Sequence, residues 1–79
     1  MENEKFVLLI MTREAQGFLS TIYNFDTEYE AMSRWHEECT AKRVASVVRE
    51  YCVEILNSQG SIVIREHINK DDINVVEGN

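Results

Sequence analysis

No proline occurs in these 79 residues, and glycine occurs only three times. The glycines, Gly17, Gly60 and Gly78, stand far apart, so no glycine-rich loop exists to cradle a phosphate. A nucleophile elbow is missing as well. Positive charge is scarce: eight Lys and Arg stand against fourteen Asp and Glu, for a formal net charge of −6. So acidic a chain lacks the footprint of a phosphate-backbone binder, which argues against general nucleic-acid binding. The same charge favours attraction to basic protein surfaces. Arg34, Lys42, Arg43 and Arg49 are the residues from which a local basic patch would be built. The apolar run Phe6–Met11 is too short for a membrane span or a secretory core, and Glu2 and Glu4 do not suit the start of a signal peptide. The expectation is a cytoplasmic protein with no membrane partner. The two cysteines, Cys39 and Cys52, then read as reduced thiols rather than a bridge.

What is present suits one small domain. The hydrophobic fraction is 44% and the charged fraction 28%, too apolar for disorder. A domain of this size buries a modest share of its surface and usually adds a disulfide, a metal or a partner subunit.

One stretch reads clearly as a helix, Thr27 to Arg43. Ala31, Met32, Trp35, Cys39 and the stem of Lys42 recur at intervals of three and four and share a face. Thr27 followed by Glu30 is a capping-box pattern, with Asp26 as the rival cap. Glu28 and Glu30 at the start and Lys42 and Arg43 at the end complement the helix dipole. Trp35, the only tryptophan, sits mid-stripe and is expected to anchor the helix on a sheet.

Strand patterns flank the helix. Lys5–Thr12 is apolar on both alternating faces and is placed in the sheet interior. Arg13–Gly17 is a turn, and Phe18–Phe25 a second strand that pairs with the first as a hairpin. After the helix, Val44–Asn57 is read as a strand with Val47, Tyr51, Val53 and Ile55 toward the helix; its β-branched residues weigh against a helix running on to about Glu50. Asn57-Ser58-Gln59-Gly60 is a turn. Ser61–Ile68 is the fourth strand, with Ile62, Ile64 and Ile68 on one face and Val63, Arg65 and His67 on the other. Residues 69–79 form a polar tail expected to fray at Gly78-Asn79.

The expected fold is therefore α+β, ββαββ: a four-stranded, mainly antiparallel sheet with one helix on one face. One helix covers one face only. The other face, carrying Val7, Leu9, Met11, Val48, Leu56 and Val63, is predicted to be an interface between copies in a homodimer or larger assembly. The alternative is that the tail folds across it.

The motifs for catalytic and metal chemistry are incomplete. His36-Glu37-Glu38-Cys39 begins like a zinc-protease motif, but Thr40 stands where the second histidine belongs. His36 and Cys39, three apart, would be two ligands needing His67 or a carboxylate to complete them, and two ligands do not make a site. Neither cysteine reads as an exposed thiolate beside a base. The helix carboxylates read as solvated, with Glu30–Arg34 and Glu38–Lys42 as pairs worth a few tenths of a kcal/mol each. No cofactor, metal or catalytic residue is expected.

The segment Lys5-Phe6-Val7-Leu8-Leu9-Ile10-Met11-Thr12-Arg13-Glu14 resembles short uncharacterised proteins encoded in phage and mobile-element regions of gut-dwelling anaerobic bacteria. The likeness continues through Tyr23, Glu30-Ala31, His36-Glu37, Val44-Ala45-Ser46-Val47 and the Asn57–Gly60 turn followed by Val63, covering about residues 5–68. The family carries no established activity. The resemblance implies a small accessory protein acting by stoichiometric binding, for example by blocking a host-defence component. Glu30, Arg34, Glu37 and Glu38 on the helix are the residues expected to meet a basic partner. The rival expectation is a sponge for a nucleotide signal, with a pocket at a subunit interface where Arg34, Arg49 or Arg65 meets phosphate.

Overall fold

The computed structural model describes residues 5–72. The chain runs β1 (Phe6–Glu14), β2 (Gly17–Phe25), α1 (Glu28–Val44), β3 (Glu50–Leu56), β4 (Ile62–Asn69). The strands form one antiparallel sheet in the order β2-β1-β3-β4, and α1 lies across one face. This is the expected α+β, ββαββ architecture. The apolar β1 is an interior strand, as its composition requires, and the two hairpins meet along the β1–β3 ladder.

Local chemistry explains the breaks. The β1–β2 hairpin closes on Glu14 opposite Gly17 around Ala15-Gln16, and Gly17 takes φ +134°, a region unfavourable to any side chain. At the second hairpin the Asn57 Oδ1 accepts the amides of Gln59 (3.0 Å) and Ser61 (2.9 Å), and Gly60 takes φ +82°. The Thr27 hydroxyl accepts the Glu30 amide at 3.2 Å, which makes Thr27, not Asp26, the N-cap of α1.

The core lies between α1 and the sheet. Phe6, Leu8 and Ile10 of β1 and Tyr51, Val53 and Ile55 of β3 meet Ala31, Trp35 and Cys39 of α1. Ala31, Trp35 and Cys39 are spaced by four, so a narrow stripe of the helix carries the packing. The Trp35 Nε1–H donates to the Val53 carbonyl at 2.9 Å, tying the helix to the middle of β3. Tyr23, Phe25, Ile64 and Ile68 close the flanks.

The strand expected over Val44–Asn57 is corrected here. Val44 ends the helix and β3 begins only at Glu50. Between them a turn, with the Val48 amide bonded to the Ala45 carbonyl at 3.1 Å, removes Val47 and Val48 from any strand alternation. Val48 therefore drops into the core at 3% exposure and is not on the uncovered face, while Val47, expected toward the helix, is exposed. Of the polar tail, residues 70–72 are described. They begin a helical turn, and the Lys70 ammonium donates to the carbonyls of Lys42 (3.0 Å) and Ala45 (2.8 Å) at the C-terminus of α1. The remainder of the expected tail lies outside the described residues. Among the described residues, no helix is long and apolar enough to cross a membrane.

Replacing Trp35 by Ala is expected to cost about 3–5 kcal/mol in urea unfolding. Trp35→Phe, which keeps a ring but loses the bond to Val53, is expected to cost about 0.5–1.5 kcal/mol more than its lost area alone.

Candidate interaction surfaces

Side chains alternate across a sheet, so every residue that β1 and β3 send to the helix implies a neighbour sent the other way. That second face bears Val7, Leu9 and Met11 from β1, Phe18 and Ile22 from β2, Cys52 and Leu56 from β3, and Ile62 from β4. Ile62 pairs with Leu56 across a register shift instead of sharing the face of Ile64 and Ile68 as expected. Val63, left unpaired by that shift, precedes the helix-facing Ile64 and falls on the open side too. No described element lies over it. Phe18 is 76% exposed and Ile22 61%, with Met11 and Val63 also open to solvent and Val7, Leu9 and Leu56 half-buried by their neighbours. Five of the six residues expected at a subunit interface, Val7, Leu9, Met11, Leu56 and Val63, thus lie on this face, and Val48 does not. Leu19, Tyr23 and Phe25 lie on one side of the alternation of β2, and its other, polar side is interrupted by Phe18 and Ile22. Their parity with Ser20 and Asn24 is the signal that assigns them to the open face.

The charged residues of the open face neutralise one another. Glu50 accepts from Arg13 (3.0 Å) and lies 2.8 Å from the His67 Nε2, and Arg65 is 3.7 Å from Glu54. The Glu50 carboxyl is held below its ordinary value by the hydrogen bond from His67 and then by that from Arg13. A shallow concavity of about 190 Å³ lies here between Met11, Phe18, Cys52, Arg65 and His67. Its walls bring an arginine, a histidine and a thiol together. Arg65 is already turned onto the Cys52 sulfur (3.4 Å), and Arg13 is shared among Glu50, Asn69 and Asp71.

The outer face of α1 is the other candidate. Glu30 and Glu37 point to solvent. Arg34 and Glu38, grouped with them in the sequence reading, turn toward the sheet. Arg34 lies over the Tyr23 ring (4.3 Å to its centre) and donates to Glu38 at 2.8 Å, so the expected pair with Glu30 gives way to a pair with Glu38. The Glu38 side chain is 14% exposed and also accepts from Lys42 at 2.6 Å. Burial works to raise its pKa, but the bonds from Lys42 and Arg34 outweigh this and hold the carboxyl below its ordinary value. Only Glu30 and Glu37 of that quartet remain as outward carboxylates. The basic patch also dissolves into pairs: Arg34 and Lys42 on Glu38, Arg43 on Glu66 (2.9 Å), Arg49 on Asp71 (2.9 Å).

Glu66 is a residue the sequence reading passed over. It sits on the helix side of β4 between Ile64 and Ile68, where the Tyr51 hydroxyl donates to it and Arg43 reaches it from the end of α1. The Tyr51 bond, against partial desolvation, and then Arg43 hold the Glu66 carboxyl below its ordinary value. Burial, with Glu66 beside it, pushes the Tyr51 hydroxyl up to about 12. Burial likewise pushes the Cys39 thiol up to about 11, which keeps it protonated and a poor nucleophile at neutral pH. His36 is exposed, edge-on to the Trp35 ring at 5.0 Å, while Cys39 faces the core, so the two do not converge on a common point. Among the described residues no cluster of three or more His, Cys, Asp or Glu has metal-binding geometry.

The chain is thus an α+β protein whose sheet has one face covered by α1 and one that no described element covers. No family model, curated protein or solved structure matches it.

The depressed carboxyls set a pH dependence with a definite sign. Glu38 and Glu66 have folded-state values below the ordinary 4.5, so the stability they confer is full above that value and is lost as pH falls through the lowered ones. Thermal melts from pH 7 to pH 2.5 should show the midpoint falling below about pH 4.5, and Glu66→Gln should lower the pH 7 midpoint while shallowing that acid limb.

Proposed function

We propose that this protein is a non-catalytic binding module that acts by stoichiometric association with another protein, and that copies of the chain join through the open sheet face. The observation that carries this reading is that face. It exposes apolar side chains of β1 and β2, among them Met11, Phe18 and Ile22, and its ions, Arg13 with Glu50 and Arg65 with Glu54, are already paired. A surface of that kind is costly to leave in water and presents no uncompensated charge to repel a second copy. Four strands spaced by ~4.8 Å and about 25–30 Å long span a flat area of roughly 500 Å². With side chains protruding, this approaches the ~800 Å² per partner of a standard interface. Packing two such faces together leaves the helices outermost, with Glu30 and Glu37 turned toward a basic partner. The likeness of Lys5–Glu14 and the matching positions beyond it to mobile-element proteins supplies the context: an accessory protein that occupies, and so blocks, a host-defence component.

A nucleotide sponge is the less favoured reading. It needs cations free to meet phosphate, and Arg34, Arg49 and Arg65 each lie against a carboxylate.

Two measurements test this. Light scattering behind a sizing column should show the molar mass halved by Leu9→Glu with Met11→Glu, with the circular dichroism spectrum retained; an unchanged mass would remove the face as a joint. Expression in bacteria carrying defence systems should restore phage plaques in proportion to the amount of protein made, and Glu30→Lys with Glu37→Lys should abolish the effect. Restoration by trace amounts would point to catalysis instead and overturn the reading.

A further inference from the structure

β2 is an edge strand of nine residues, and none of them is charged. It contains no proline, and its register with β1 runs unbroken from Phe25 opposite Phe6 to Gly17 opposite Glu14. Edge strands normally carry charges, proline or a bulge that prevent another strand from adding to them. The opposite edge of this same sheet does so: β4 bears Arg65, Glu66 and His67, and its register against β3 shifts between Ile64 and Ile62, opposite Ile55 and Leu56. In β2 the large residues Phe18, Leu19 and Ile22 stand exposed, on both faces of the sheet.

The hairpin fixes which backbone groups are left over. A two-residue turn makes Glu14 and Gly17 a hydrogen-bonded pair, and such pairs alternate along an antiparallel ladder. Gly17, Leu19, Thr21, Tyr23 and Phe25 therefore turn their N–H and C=O groups to β1. Phe18, Ser20, Ile22 and Asn24 turn theirs outward, away from every described strand.

We infer that the β2 edge is a self-recognition surface, at which β2 of a second copy pairs antiparallel about a two-fold axis through Thr21. The axis position follows from using every outward group. Centred on Thr21, Phe18 meets Asn24 and Ser20 meets Ile22, each twice, for about eight backbone hydrogen bonds. Moving the axis by one residue either way leaves an outward residue unpaired. On the helix side the same register sets Leu19, 58% exposed in the single chain, against Tyr23 of the second copy. A strand without charges suffers no like-charge repulsion in this arrangement. The product is a continuous eight-stranded sheet with both helices on one side, and its axis is perpendicular to the sheet. Face-to-face joining uses a different surface and an axis in the sheet plane, so the two modes are compatible and together give a tetramer.

The test uses cysteine placement, because the native thiols of Cys39 and Cys52 are both buried. Across the axis the two Thr21 residues form a non-hydrogen-bonded pair with Cα atoms about 4.5 Å apart, within disulfide range. Thr21→Cys is expected to give a covalent dimer on mild oxidation. Leu19→Cys should not, since the two Leu19 positions lie about 13 Å apart along the strands. Thr21 is on the helix side of the sheet, so joining through the open face cannot bring the two copies of it together. The cross-link should therefore persist in a Leu9→Glu, Met11→Glu background, and each surface stands or falls separately. In addition, Thr21→Lys alone and Thr21→Glu alone should each halve the molar mass, and an equimolar mixture should restore it. A Thr21→Cys protein that stays uncross-linked, or that cross-links no faster than Leu19→Cys, overturns the inference. So does a Thr21→Lys protein of unchanged mass.

Discussion

The hydrogen bond from the Trp35 indole to the Val53 carbonyl holds α1 to the sheet, and the rest of the molecule is arranged around that contact. The helix buries a stripe of three side chains, Ala31, Trp35 and Cys39, against the two interior strands. So narrow a stripe requires a small residue at one end for close approach and a large one in the centre to fill the space between helix and pleat. Position 31 is the smallest side chain that packs, and position 35 the largest. Because the helix is committed to one side of the sheet, no described element lies against the other side.

That asymmetry governs the polar chemistry as well. Around the helix, ions are gathered at the margins of the core and matched there: Glu38 between Arg34 and Lys42, Glu66 between Tyr51 and Arg43, and Lys70 beneath the last carbonyls of α1. On the open face the pairs Arg13–Glu50 and Arg65–Glu54 remove net charge from a surface that also exposes Met11, Phe18 and Ile22. Exposed pairs of this kind contribute little stability, about 0–1 kcal/mol each. Their effect is on what the surfaces can meet. Arginines held by carboxylates are poor phosphate ligands, and a self-neutral face can approach a copy of itself.

Much of the fold was legible in the sequence. The period of Ala31, Trp35 and Cys39, the Thr27 cap and the two turns at Gly17 and Asn57–Gly60 are local signals, and each is found where it was expected. The Val44–Arg49 segment was misread because β-branched residues favour strands only where a pleated surface is available to them. Here a turn intervenes, Val48 is drawn into the core and Val47 is left in water. The proposed surfaces were legible in part. Five apolar positions of the open face follow from alternation alone. The exposure of Phe18 and Ile22 does not, since it depends on β2 being an edge.

The sequence by itself determined the elements, their order and the excess of apolar surface over what one helix can cover, because these follow from side-chain periodicity, turn chemistry and chain length. Only the tertiary structure decided the strand order β2-β1-β3-β4, and with it the identity of the two edges. It also decided the partners of each ion: Arg34 on Glu38 rather than Glu30, and Lys70 on the helix end. Residues far apart in the chain meet only after the two hairpins have docked, and a periodic pattern carries no record of which neighbour a strand will take.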